Sequence, residues 1–250
     1  MNLTTLYQHR FTILLLTLIV FMLCTPLIIE LVTEEYAVSG KVTILVISVG
    51  WVTAATFAVS TRRRTAIIAI VLMAVSLLLE LFTTLLPTNL SFILFHLLRI
   101  VFLGFIVSQV FKHIFKPRLV TFDTISASLC IYLMLGAVWA HIYAIVEMVT
   151  PGSIAYVIPH VPEQKSTEIA RSFHMLYFSF VTLSTVGYGD MVPTTTVARM
   201  FAVTEAISGQ IYLLVMVSRL VGLQVSQALY QPESKPDNIS SANPSIKEPK

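Results

Sequence analysis

Charge is scarce in this chain. Of its 250 residues only 12% are Asp, Glu, Lys or Arg, where soluble domains carry about a quarter. The net charge of +3 is met by bases in short connections, so it gives no nucleic-acid footprint. Cysteine is scarcer still. Cys24 and Cys130 lie in separate apolar stretches, which argues against a bridge and against a disulfide framework. No zinc-ligand spacing, phosphate-binding P-loop or nucleophile elbow occurs, and no long-period repeat is evident. Nothing beyond Tyr230 is long enough for a nucleotide- or calcium-binding domain. The enzyme classes recognisable by those motifs are excluded, and no cofactor is expected.

Apolar residues fill the space that charge leaves. They make up 56% of the chain, more than one buried core of this size can use, and a bilayer is the natural solvent. Apolar stretches run over Phe11–Val32, Val42–Val59, Thr65–Leu86, Leu90–Phe111, Val120–Val149 and Val197–Leu223. Each has about 18 residues or more, which at 1.5 Å per residue crosses a hydrocarbon layer of about 30 Å. The expectation is an all-α integral membrane protein with six transmembrane helices. The first stretch is longer than a signal-peptide core and no small-x-small site follows it, so it is read as a span.

A seventh apolar segment, "FHMLYFSFVTLS" over Phe173–Ser184, is too short to cross. It reads as a re-entrant helix, whose non-helical continuation is tolerated in a membrane only when protein surrounds it. Arg10, Arg62, Arg63, Arg64, Lys112, Lys116 and Arg118 cluster on one side of such a topology, which places both termini in the cytoplasm. Glu34, Glu35, Glu163 and Glu168 fall on the other side, although Lys41, Lys165, Arg171 and Arg199 run against the bias. Three parts follow: a four-helix domain over 1–118, a second unit over 119–230, and a tail over 231–250. The tail is rich in Pro, Ser and charge and is expected to be disordered. Its sequon at Asn238 would be void in the cytoplasm.

After the short helix comes "STVGYGD", Ser184–Asp190. Glycine takes positive φ without the penalty that a Cβ imposes. With Gly187 and Gly189 at alternate positions, the backbone of Thr185, Val186, Gly187 and Tyr188 can aim successive carbonyl oxygens one way. Such a ladder replaces the water of a cation. One chain supplies one wall, and four copies about an axis would surround the ion.

Thr185–Gly189, "TVGYG", resembles the selectivity filter of the potassium channel family, and "TLSTVGYGDMVPTT" extends the likeness beyond those five residues. The resemblance covers roughly Val120–Tyr230 and is similar to the pore of the six-span, single-pore-loop type. It implies a homotetramer in the cell membrane that conducts K⁺ passively, with no nucleic-acid partner and no enzymatic role. It also implies that Thr185 offers its hydroxyl and carbonyl to K⁺, that Val186, Gly187 and Tyr188 offer carbonyls, and that Gly189 closes the filter. Asp190 falls where the family's aspartate props the filter at the outer mouth. Tyr177 and Phe178 occupy the places of two supporting tryptophans. Gly209, 22 residues after Gly187, falls at the family's gating hinge, with close helix packing as the alternative. Glu205, one turn earlier, is a membrane carboxylate and hence a functional candidate, read as a neutral or hydrogen-bonded brace behind the filter, a task Gln210 could share. Thr182 and Ser184 either add hydroxyls towards the ion path or bond back to their own helix. The short tail leans towards a prokaryotic source.

The fourth stretch lacks the repeated bases of a voltage sensor. Steps of three through Arg99 meet Ile93, His96, Phe102, Phe105, Ser108 and Phe111, so one permanent charge stands where a steep sensor uses three or four. A hairpin turning at Pro87–Thr88 brings Glu80 level with His96 and within about a turn of Arg99. Three rival readings remain. "GYGD" fits an intramembrane aspartyl protease, whose second carboxylate would have to be Asp123, placed at the opposite membrane face. The others are a weakly selective cation channel and a non-conducting regulatory subunit.

Overall fold

The computed structural model describes residues 9–31, 37–60, 63–115, 121–157 and 168–229. The expectations for the tail, for Asn238, for both termini and for Glu34, Glu35, Arg62, Lys116, Arg118, Glu163 and Lys165 lie outside these residues. Seven helices appear among them: α1 (Arg10–Leu31), α2 (Ala37–Val59), α3 (Arg63–Leu85), α4 (Asn89–Ile114), α5 (Phe122–Val149), α6 (Glu168–Leu183) and α7 (Thr196–Leu229). Five helices carry segments long and apolar enough to cross a membrane: Arg10–Ile28, Arg63–Thr83, Asn89–Ile114, Phe122–Val149 and Thr196–Ser226. The apolar part of α2 is shorter, Leu45–Val59. The chain is a helical, multi-pass membrane protein.

Local chemistry sets the helix ends. Thr88 caps α4: its hydroxyl accepts from the Ser91 amide at 3.1 Å, and the Ser91 hydroxyl accepts from the Thr88 amide at 3.0 Å. This capping box directly follows Pro87, so the α3–α4 hairpin turns sharply. Thr121 caps α5 by accepting from the Thr124 amide at 3.3 Å. Asp123, in the first turn of α5, reaches across to α1 and accepts from the Phe11 and Thr12 amides at 3.1 and 3.2 Å. A carboxylate at a helix N-terminus satisfies orphan N–H groups and complements the dipole. Asp123 therefore fastens the start of α1 to the start of α5.

Sequential helices pack on one another through α5, and α1 also packs against α5. The main apolar cluster includes Phe11, Leu14, Trp51, Val52, Phe102, Ile106 and Met134. A second cluster joins Tyr143 of α5 with Ile154, Met175, Phe178 and Met191. Two three-residue strands were not anticipated: β1 (Ile154–Tyr156) pairs antiparallel with β2 (Met191–Pro193), with Ile154 opposite Pro193 and Tyr156 opposite Met191. The ribbon ties the α5–α6 connection to the segment between Asp190 and α7.

Candidate functional site

Helix α6 ends where its backbone changes hand. Thr185 has φ +59°, Gly187 +59° and Gly189 +80°, while Val186 and Tyr188 between them keep negative φ. For a β-branched residue such as Thr185 the left-handed region is a true outlier, costing about 1–3 kcal/mol, and such strain persists only where the surroundings impose it. The amides of Thr185 and Val186 turn back onto the last turn of α6, donating to the carbonyls of Thr182 and Val181 at 3.0 Å each. Among the described residues no donor reaches the carbonyls of Thr185, Val186, Gly187 or Tyr188. Val186 and Tyr188 are 52% and 71% exposed in the single subunit. An apolar ribbon with unpaired carbonyls cannot face lipid.

The helix before this ribbon directs its C-terminal dipole, worth roughly half a negative charge, to the same end. Ser184 donates its hydroxyl back to the Phe180 carbonyl, the self-bonding alternative for that residue.

Asp190 is held on three sides. Its Oδ2 accepts from the Tyr177 hydroxyl at 2.7 Å, its Oδ1 from the Met191 amide at 3.0 Å, and its carbonyl from the Val157 amide at 2.8 Å. The Tyr177 ring lies parallel to that of Tyr188, 4° apart in plane with centroids 6.5 Å apart. The bond to Asp190, helped by partial desolvation and by the Asp190 charge, pushes the Tyr177 hydroxyl up to about 12. Phe178 turns the other way and meets Tyr143 edge-on at 4.9 Å. The two aromatic neighbours thus divide the work: one holds Asp190, the other anchors α6 to α5.

Where α7 meets α5 and α6, Glu205 is fully buried. Tyr143 donates to its Oε2 at 2.6 Å, and Ser179 of α6 contacts its Oε1. Gln210 is exposed on α7 and takes no part in this cluster. Gly209 is a point of close approach, since a Cβ there would lie 2.6 Å from the Leu183 carbonyl oxygen and 2.8 Å from Leu183 Cδ1. The sequence offered no sign of Ser179 and Tyr143 as partners of Glu205, because the three sit on three helices far apart in the chain.

On α4, Arg99 is 2% exposed and pairs with Glu80 of α3. Ser48 of α2 joins them, accepting from Arg99 at 3.0 Å and donating to Glu80 at 2.9 Å. The guanidinium also lies 5.4 Å from the Trp51 ring centre and 5.2 Å from that of Phe95. His96 bonds instead to His141 of α5, Nδ1 to Nδ1 at 2.8 Å, a partner the sequence did not reveal. Asp123 and Asp190 have separate partners, which leaves the protease dyad without a shared site.

Residues 129–224 match the ion channel family model, a segment containing the ribbon, α6 and most of α5 and α7. Relatives include two-pore potassium channel 4 of Arabidopsis thaliana, 38% identical over 55 residues, covering 22% of this chain and 19% of that protein. Two pore potassium channel a of Oryza sativa subsp. japonica is 28% identical over 116 residues, 46% of this chain and 28% of the relative. Voltage-gated potassium channel Kch of Escherichia coli (strain K12) is 58% identical over 33 residues, 13% and 8% of the two chains. The chain spans less than a third of the length of each of these relatives.

Proposed function

We propose that this chain is one subunit of a potassium-selective channel, four copies of which surround a common axis. The observation that carries the reading is the alternation of backbone hand over Thr185–Gly189, with four successive carbonyls left without donors. K⁺ passes along those carbonyls, with the Thr185 hydroxyl adding an oxygen at the inner end. Six helices span the membrane and α6 enters from the outer face without crossing it. Asp190 stands at the outer mouth, held by Tyr177, and both termini are cytoplasmic. The permeant ion is the one small species required, and the work is passive conduction, not catalysis. The match of 129–224 to the ion channel family supports the assignment of this unit to the pore. The buried Arg99–Glu80 pair supports a structural role for the first four helices, with weak dependence on voltage.

Reconstitution of purified protein in planar bilayers tests the proposal. Reversal potentials in opposed K⁺ and Na⁺ gradients are expected to follow K⁺, and mass in mild detergent to equal four subunits. Conduction that follows both ions equally would make it a weakly selective cation channel. An assembled protein that passes no current would make it a regulatory subunit.

A further inference from the structure

One proton is unaccounted for behind the ribbon. Ser179 Oγ lies 2.7 Å from the Gly136 carbonyl oxygen of α5 and also touches Glu205 Oε1. A hydroxyl carries a single proton, and a carbonyl can only accept. If the Ser179 proton goes to Gly136, the contact with Glu205 requires a proton from the carboxyl group. Tyr143, meanwhile, directs its own proton to Glu205 Oε2. Three protons then fill three contacts in one direction, from Tyr143 to Glu205 to Ser179 to Gly136. An ionised Glu205 would take the Ser179 proton and leave two oxygens, of Ser179 and Gly136, pressed together without one.

The surroundings agree with the count. Glu205 has no exposed surface, and neither of the two side chains that bond it, Tyr143 and Ser179, carries a charge. The titratable group in contact with it is Tyr143 of α5; α6 contributes the uncharged Ser179. An uncompensated carboxylate in such a place is costly.

We propose that Glu205 is a positioning residue in its protonated form, a donor and acceptor at once, which locks the pore helix α6 between α5 and α7 and thereby sets where the ribbon Thr185–Gly189 stands. Two neighbouring contacts extend the lock along α7. Trp139 of α5 donates to the Ser208 hydroxyl at 3.3 Å, and Gly209 lets α7 close onto Leu183 at the end of α6. The inference rests on the channel reading for its consequence, though not for its proton.

The test uses the full-length protein in lipid. Isotope-edited infrared spectra at neutral pH are expected to show a protonated carboxylic C=O band that Glu205→Gln removes. An ionised carboxylate signal assigned to Glu205 instead would overturn the proposal, whether or not the protein conducts. In bilayers, Glu205→Ile should reduce the ratio of conducting to collapsed filters about tenfold, the worth of one lost buried partner. Glu205→Gln should restore it, because the amide reproduces a donor towards Ser179 and an acceptor towards Tyr143. Should Glu205→Ile fail to assemble, Ser179→Ala and Tyr143→Phe each remove one link and should shift the same ratio in the same direction. Rescue by Glu205→Asp but not by Glu205→Gln would show that charge, and not the donated proton, is what α6 needs. A protein with the expected infrared band and no K⁺ current would refute the channel reading and leave the protonated brace standing.

Discussion

Replacing Gly209 with alanine separates two roles for that glycine. A Cβ there would fall 2.6 Å from the Leu183 carbonyl oxygen, a backbone atom at the end of α6 that no rotamer change can move. Overpacking of this kind costs about 1–3 kcal/mol, while alanine in place of glycine returns up to about 1 kcal/mol of helix propensity. The clash wins or nearly balances, and the net loss is up to about 2 kcal/mol per subunit. Gly222, on the same helix, has no atom within 4 Å of the equivalent position. There the propensity term stands alone, and Gly222→Ala should be neutral or stabilising by up to about 1 kcal/mol. Thermal unfolding in lipid bicelles should therefore place Gly209→Ala below the wild type and Gly222→Ala at or above it. A Gly209→Ala protein of undiminished thermal stability whose opening is nonetheless suppressed would refute the packing argument and make flexibility the function of this glycine.

Three further outcomes follow from the same geometry. Gly187→Ala meets no atom within 4 Å but must adopt φ +59°, which costs roughly 1–2 kcal/mol; reversal potentials should show reduced discrimination of K⁺ from Na⁺ with normal assembly. Tyr177→Phe removes the bond to Asp190, worth at most about 1 kcal/mol in so exposed a place. Because the Tyr177 hydroxyl is raised from 10.0 to about 12, its contribution is complete below the lower value and is lost as pH rises through the higher one, and the alkaline step in thermal stability should vanish in the variant. Arg99→Gln removes the cationic partner of Glu80, and breaking such a buried pair typically costs about 3–5 kcal/mol. Its yield in detergent should fall sharply, while the slope of open probability against voltage stays shallow.

Features fixed by nearby residues were legible in the sequence, and those assembled from distant helices were not. The lengths of the apolar stretches anticipate the long helices to within a few residues, because crossing a membrane is a local requirement on composition. The departure from helix after Leu183 is legible because glycines at alternate positions permit it within a few residues. The approach of Glu80 to Arg99 could be drawn from a hairpin with a fixed turn at Pro87. Nothing comparable announces His141 as the partner of His96, or Ser179 and Tyr143 as partners of Glu205. Those pairings depend on how α4, α5, α6 and α7 rotate about their own axes, and hydrophobicity in lipid is a poor guide to rotation because every face is apolar. The strands β1 and β2 are three residues each, too short for an alternating pattern to register.

The β1–β2 ribbon also shortens a loop. Without it, the chain between Leu183 and Thr196 would be twelve unanchored residues; with Met191 paired to Tyr156, seven remain between the end of α6 and the start of β2. Closure entropy grows as (3/2)RT ln n, so the shorter loop forgoes roughly 0.5 kcal/mol of disorder per chain. The connection from α5 to α6 thus acts as a tether for a segment it follows at no point in sequence. The Ser153 carbonyl, accepting from the Thr194 amide at 2.8 Å, closes the far end of the ribbon, so the segment that carries Asp190 is tied down by backbone bonds that survive a change of side chain.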